Sequence, residues 1–500
     1  VPAFGARTLL VNPPLVRGIA FTRQGRCQER EDVFGTIKPP YSLALCAALL
    51  RARGHDVRLA DLTASRQSAD ALATSLEREG FRPTLIVFAS TTPTFDADVA
   101  ALAPLKARWG APIFSFGPHA SATPHECMQR APEIDGVLVG EPEDTLVALA
   151  ETDDRHPESI ATIPALMSRR GGLLTAHRAH GIFAGFDVAQ RPDPAWDLLD
   201  LSAYQLPLLN QQTVIVETGR GCPYACDFCV APLHQGHKFR ERSATDLVDE
   251  IERIHRRYGV SCFYLWGDTV TLNASTFGAF CAELIARRLP IRWLSNARAD
   301  NLVDAAFVDR LRASGCWMLA LGIESGSDAT RSAMQKRLSD QAIRAAFSNL
   351  RRAGIRSFGF FILGHPGETP ATLEQTVEYA VALDPDYANF YPAVPYPGTA
   401  LHAKARRDGW LVDDDWSRME YSHYLLNGNG LNERVVLDAV RRAARRFYLR
   451  PSYLVRHLAD AARLGLMDTR RAWRIARRLF VGVRERPTPT VRSTADQRAA

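Results

Sequence analysis

Residues 213–230 read TVIVETGRGCPYACDFCV. A β-branched run from Thr213 to Val216 gives way to a glycine-rich turn and then to three cysteines, Cys222, Cys226 and Cys229, within eight residues. That is a strand delivering three thiols to its carboxyl end. Five more strand-like runs follow, CFYLWGD, IRWLSNAR, WMLALGIES, IRSFGFFILG and YANFYPAV, each separated from the next by a helix-length amphipathic stretch. Six parallel strands joined by right-handed crossovers can curl into an open barrel whose working groups collect at the carboxyl ends. Asp268, Asn296, Arg298, Glu324 and Ser325 stand at those ends.

The first 150 residues repeat the alternation in a different form. RTLLVNPP, DVRLADL, TLIVFAST, APIFSFGPHA and GVLVGEPED read as strands, with helices between them at YSLALCAALLRARGH, near Ala69 to Glu79 and near Phe95 to Arg108. This pattern predicts an α/β, doubly wound, Rossmann-like domain whose ligand loops follow the strand ends. Those loops hold Asn12, then Ser90 and Thr91, then Gly117 and His119, then Gly140 and Glu141. The expected organisation is a nucleotide- or cofactor-binding domain at 1–150, a linker with a hairpin around Gly171 and Gly172 at 151–207, and the partial barrel at 208–400. A helical region at 401–485 and a disordered tail at 486–500 complete it.

Composition narrows the function classes. No run approaches the roughly 18 to 20 apolar residues of a membrane-spanning helix, and the N-terminus lacks the features of a secretory signal, so a soluble cytoplasmic protein is expected. Disulfides are improbable in that compartment. Six of the nine cysteines lie singly in the sequence, which makes the cluster of three the exception. The net charge of +6 is concentrated in the tail, where Leu431 to Ala500 carries 17 Arg against 6 acidic residues. Its helical spacing reads as a solvated face, with a weak anionic-membrane contact as the alternative and no nucleic acid expected.

Three thiolates on one loop admit several chemistries. Zinc needs a fourth ligand, which His234 or His237 offers. A redox pair would use Cys226 and Cys229 and leave Cys222 unexplained. A cubane iron–sulfur cluster with three protein ligands keeps one iron open. At this point C-x3-C-x2-C, with Phe228 before the last cysteine and the first strand of a six-stranded barrel before it, resembles the radical S-adenosylmethionine (SAM) superfamily. The resemblance implies a 4Fe-4S cluster on Cys222, Cys226 and Cys229, and a SAM molecule whose reductive cleavage gives a 5′-deoxyadenosyl radical. It implies SAM contacts from Phe228, Asp268 in WGDTVTLN, Arg298, and Glu324 and Ser325 in GIESGSD. Gly267 and Asp268 stand where much of the superfamily has a glycine pair with glutamate; ILGHPGET and PYPGT extend the likeness.

The first domain is similar to the cobalamin-binding domain that precedes the barrel in one branch of that superfamily, through NPP, KPPYSLALCAALLRARGHDV, GPHAS and GVLVGEPEDTL. Together the likeness spans residues 7 to 455. It implies cobalamin contacts from Asn12, Ser90, Thr91, Gly117, His119, Gly140 and Glu141. The D-x-H-x-x-G loop that gives a histidine to cobalt is missing, its nearest match being DRHPES from Asp154, so cobalamin is expected to bind without that histidine. The implied reaction is transfer of a methyl group from cobalamin to an unactivated carbon of a small molecule, with flavodoxin or ferredoxin as electron donor. Tyr391 and Tyr396 are candidates to line the substrate pocket. Cyclisation or rearrangement, methylthiolation of RNA or protein, and a non-enzymatic cobalamin sensor stand as alternatives. Methylthiolation would need a second cluster from the scattered Cys27, Cys46 and Cys127.

Overall fold

Five parallel strands form the centre of the first sheet: β1 (Arg7–Asn12), β2 (Asp56–Asp61), β3 (Leu85–Ala89), β4 (Ile113–Phe116) and β5 (Gly136–Leu138), in the order β2-β1-β3-β4-β5. The computed structural model describes residues 6–23, 30, 36–152, 160, 162–170, 173–176 and 186–463. Every residue of β3, LIVFA, is buried, as a strand covered on both faces by helices requires. The order reverses between β1 and β3, so the crevice at the switch point opens between the ends that carry Asn12 and Ser90.

The hairpin read as part of a linker belongs to this sheet. Its strands β6 (Leu166–Arg170) and β7 (Leu173–Ala176) add antiparallel to β5, with Val137 opposite Met167. Leu166 and Met167 are buried, and that apolar pair attaches the hairpin to the sheet edge.

The second sheet starts with β8 (Gln205–Leu206), antiparallel to β9 (Gln211–Glu217). A two-residue ladder, β10 (Gly219–Arg220) against β11 (Arg240–Glu241), braces the cysteine loop. Then come β12 (Cys262–Trp266), β13 (Arg292–Ala297), β14 (Cys316–Glu324), β15 (Arg356–Leu363) and β16 (Tyr387–Pro392). The order β16-β15-β14-β13-β12-β9-β8 contains six parallel strands and leaves β16 and β8 at opposite ends, so the barrel stays open. In β15 burial alternates strictly. Ser357, Gly359, Phe361 and Leu363 are buried beneath the outer helices, while Phe358, Phe360 and Ile362 on the concave face are only half-buried. Full (β/α)8 barrels fill this space with layers of side chains; here it is left open.

Helices Ala400–Arg407, Glu433–Tyr448 and Pro451–Arg463 close the chain. Tyr448 protects the edge of β16: its hydroxyl donates to the Ala388 carbonyl at 2.6 Å and accepts from the Ala388 amide at 3.0 Å. The region expected to be helical from residue 401 is interrupted. Residues 408–432, with three consecutive aspartates and two Asn-Gly pairs, run as an irregular strap. The strap places Trp416, Met419 and Leu425 in one core with Phe95, Leu102 and Met128 of the first domain. No helix among the described residues is long and apolar enough to cross a membrane. The basic tail beyond Arg463, including the stretch expected to be disordered, lies outside the described residues, as do Cys27, DRHPES and the Gly171–Gly172 turn.

Candidate active site

The cysteine loop is shaped by the residues before it. Gly221 has φ +90°, and a Cβ there would lie 2.2 Å from the Lys238 carbonyl oxygen, so only glycine can make this turn. Its amide donates to Asp268 Oδ2 at 3.1 Å, which ties the loop to the end of β12. The Cys222 amide donates to the Gly236 carbonyl, and the Cys229 amide to that of Cys226. None of the three is in a disulfide. They line one cavity of ≈ 240 Å³ together with Phe228, Asp268, Arg298 and Glu324, four of the five residues expected to contact SAM. Ser325 does not line it: fully buried, its hydroxyl faces Thr376 Oγ1 at 3.1 Å and accepts the Ser327 amide.

Glu324 holds an unusual conformation. It sits at φ +70°, where β14 slips register against β15, a backbone region costly for any residue with a side chain. Its Oε1 accepts from Lys336 Nζ at 2.6 Å, and both side chains are nearly excluded from solvent. A Cβ on Gly322 would lie 2.4 Å from that same oxygen, so Gly322 leaves the room the pair needs. Lys336 is flanked by Gln335 and Arg337, both at positive φ, and its carbonyl accepts from Arg298 Nη2 at 3.0 Å. Burial pushes the Lys336 ammonium down, but Glu324 and then Cys226 outweigh it, and the net direction is up. Burial raises the Cys226 thiol, with Lys336 acting against it. Arg298 also pairs with Asp300 at 3.0 Å and lies over the Tyr224 ring at 3.7 Å.

Sequence reasoning missed Lys336, because a lysine after a short helix in AMQKRLSD has no periodicity to mark it. It also missed a pair inside the cysteine loop. Asp227 Oδ2 lies 2.9 Å from His365 Nε2, both side chains are buried, and His365 lines the cavity. The histidine in ILGHPGET was visible, but its partner is 138 residues away.

The residues expected at cobalamin gather at the carboxyl edge of the first sheet, outside that cavity. Asn12 donates to Asp61 Oδ1 at 2.8 Å, Ser90 and Ser115 share a hydrogen bond of 2.8 Å, and Thr91 bonds Thr94. Gly117, at φ +133°, lets its backbone approach Ser90. The Gly140 amide donates to Ser121 Oγ, which also meets His234 Nδ1 at 3.2 Å. His234 is therefore engaged at the domain boundary, its pKa pushed down to about 3 by burial and then by Arg220, and His237 is exposed. Neither lines the cysteine cavity, so neither completes a zinc site with the three thiols. His119 is buried edge-on against Trp416, with ring centroids 4.2 Å apart. Its Nδ1 meets Thr92 Oγ1, its Nε2 has no hydrogen-bond partner among the described residues, and burial pushes its pKa down to about 3.

Glu141 is engaged in joining the domains. It pairs with Arg240 and lies 3.7 Å from Arg220, which also contacts Glu143 at 2.7 Å and Glu217 at 3.0 Å. Arg220 is two residues before Cys222 and buried. The loop after β5 therefore grips the root of the cysteine loop directly. Both edges are chemically suited to a guest. The thiols open onto a cavity, and the first sheet ends in the buried hydroxyls of Ser90, Thr91, Thr92 and Ser115 beside the orphaned nitrogen of His119, donors and acceptors fit for a polar ligand.

Comparison with known proteins agrees with this construction. Residues 216–380 match the radical SAM superfamily and residues 32–150 match the B12 binding domain. The chain is a radical SAM enzyme with a B12-binding domain ahead of its radical SAM domain. Among its relatives, an uncharacterized methyltransferase of Pyrococcus horikoshii is 28% identical over 455 residues, 91% of this chain and 95% of that one. The anaerobic magnesium-protoporphyrin IX monomethyl ester cyclase of Cereibacter sphaeroides is 27% identical, over 84% of this chain and 68% of its own. The fold is shared with the radical SAM methyltransferase TsrM from Kitasatospora setae, solved with cobalamin and a [4Fe-4S] cluster: TM-score 0.61, 21% identity, 81% of this chain and 75% of that chain covered.

Proposed function

We propose that this enzyme transfers a methyl group from cobalamin to an unactivated carbon of a small molecule, with Cys222, Cys226 and Cys229 holding a 4Fe-4S cluster. The carrying observation is that three thiols outside any disulfide share one cavity with an ion pair and a second cation, on a loop clamped to the B12-binding domain. When bound, the cluster and SAM supply a 5′-deoxyadenosyl radical and the cobalamin supplies the methyl group. The chain's own part is to position and to exclude water. Lys336 and Arg298 offer cations to the SAM carboxylate, Asp268 an acceptor to its ammonium, and Phe228 a ring to its adenine. Ser325, in the turn after β14, is the remaining residue proposed to serve SAM. The buried hydroxyls at Ser90 and Thr91, the close backbone at Gly117, and Asn12, His119 and Gly140 form the cobalamin edge; Glu141 serves it by fixing the two domains together. Flavodoxin or ferredoxin is the proposed electron donor.

The test is anaerobic reconstitution with iron, sulfide and hydroxocobalamin, followed by SAM and a strong reductant. 5′-Deoxyadenosine with one cluster and one cobalamin per chain is expected, and label from methyl-labelled SAM should enter product. Deoxyadenosine without methyl incorporation supports the second reading, a cyclisation, which the likeness to the Cereibacter cyclase favours over methylthiolation.

A further inference from the structure

Ser121 lies in the short helix Pro118–Ala122 and spends its whole hydrogen-bonding capacity on three separate pieces of chain. Its hydroxyl donates to the Gly117 carbonyl at 2.8 Å and accepts the Gly140 amide at 2.9 Å. A serine has one proton to give and two lone pairs to fill. The third contact, His234 Nδ1 at 3.2 Å, takes the second lone pair, so the histidine donates from Nδ1. The ring is neutral near pH 7, because burial and then Arg220 hold its pKa down to about 3, and that proton defines a single tautomer. Gly117 and Gly140, at φ +133° and +79°, belong to two different loops of the proposed cobalamin edge. One hydroxyl therefore joins both loops to the barrel.

On the barrel side, His234 stands on the helix from which the cysteine loop hangs by both ends. Helix Ala231–Gln235 starts two residues after Cys229, and the carbonyl of Gly236, which caps it, accepts the Cys222 amide at 3.0 Å. The two short helices also share a neighbour. Gly398 of PYPGT has φ +81°, and a Cβ there would lie 2.9 Å from Ala122 Cβ and 2.9 Å from Leu233 Cδ1. The loop after β16 fits against both helices because that residue is glycine. This seam is distinct from the ion pairs of Arg220 and Arg240: its bonds are neutral and directional, and each ends on one defined atom.

We propose that Ser121 and His234 couple the two cofactor sites, so that a cluster on the cysteine loop tightens cobalamin binding at the edge of the first sheet. The proposal rests on the function given above. Glycine loses more backbone freedom on ordering than any other residue, so loops built on Gly117 and Gly140 are costly to fix. A cluster that holds Cys222 and Cys229 also holds helix Ala231–Gln235 between them. His234 then holds Ser121, and Ser121 holds both loops before cobalamin arrives, which leaves less ordering for cobalamin binding to supply. The coupling is reciprocal by linkage. Neither side chain needs to touch a cofactor; both are positioning residues.

The affinity of the full chain for hydroxocobalamin is measured by anaerobic absorbance titration, once with iron-free protein and once with the cluster reconstituted. The reconstituted wild type should bind at least about fivefold more tightly. Ser121→Ala and His234→Leu should bring the two forms to one affinity, whereas His234→Asn, whose amide nitrogen can occupy the Nδ1 position, should keep the advantage. Ser121→Ala lies outside the cysteine loop and keeps the test open if His234→Leu takes up no iron. A merely structural role would weaken both forms and leave their ratio unchanged, and that result would overturn the proposal. Equal binding by the two wild-type forms, or an advantage that survives Ser121→Ala, would do the same. Equal binding with methyl label still entering product overturns this inference alone; the fivefold advantage in an enzyme that incorporates no methyl label upholds it and overturns the methyl-transfer reading instead.

Discussion

Replacing Arg220 with Met tests whether the two domains are held as one unit. The guanidinium is buried with Glu143 at 2.7 Å, Glu217 at 3.0 Å and Glu141 at 3.7 Å. Once it is gone, Glu141 keeps Arg240 and Glu217 keeps the Tyr41 hydroxyl. Glu143 retains no hydrogen-bond partner among the described residues, its other oxygen having none already. Removing one partner from a buried pair costs about 3–5 kcal/mol, and for a domain of this size that lowers the unfolding midpoint by about 10 °C. The double variant Arg220→Met/Glu143→Gln removes the stranded charge and should recover roughly half of the loss.

The pH dependence of this effect has a definite sign. Burial raises Glu217, but Arg220 and then Arg191 outweigh it, so its folded pKa lies below the ordinary 4.5. Its contribution is present above that ordinary value and is lost as pH falls through the folded one. The gap between wild type and Arg220→Met should therefore narrow in acid. Thermal unfolding followed by circular dichroism at about pH 8 and at a pH below about 4 measures both quantities. A midpoint shift under about 2 °C at pH 8 would refute the argument, because it would mean the network behaves like an exposed one.

Three further perturbations follow from the site. Gly221→Ala drives a methyl into the Lys238 carbonyl and should lower bound iron after reconstitution well below the wild-type level, read by iron and sulfide analysis, while the rest of the barrel keeps its helix content. Lys336→Met strips Glu324 of its buried partner, and SAM affinity should fall by at least about tenfold, read by equilibrium binding to the reconstituted enzyme. Glu368, raised to about 7 by burial, binds its proton more tightly folded than unfolded, so stability should decline as pH rises from about 4.5 to 7; Glu368→Gln should flatten that decline, worth roughly 3 kcal/mol in denaturant titrations.

Strand positions and cysteine placement were legible because each rests on a local signal. β9 announces itself by Thr213 to Val216 and ends in its own thiols, and β3 is a continuous apolar run that only a strand covered on both faces explains. Glu324 could be placed at a strand end, but not its left-handed backbone, since no side chain of GIESGSD demands φ +70°. The role of Glu141 was illegible for another reason. Its partners Arg220 and Arg240 belong to the other domain, and a salt bridge across 99 residues leaves no periodic trace. The hairpin was visible as two short runs around a glycine pair, while its docking onto β5 depended on where Met167 would find cover.

The strap of residues 408–432 bears on how the molecule is made. Trp416, Met419 and Leu425 finish a core most of whose members, from Leu9 to Met167, leave the ribosome hundreds of residues earlier. Domains usually fold in order of synthesis, yet here the first domain to emerge is completed only after every barrel strand has been made. Until the strap arrives, the apolar surface around Phe95 and Met128 stays open. A chain that stops near residue 400 would carry every barrel strand and still display the unfinished side of its partner domain.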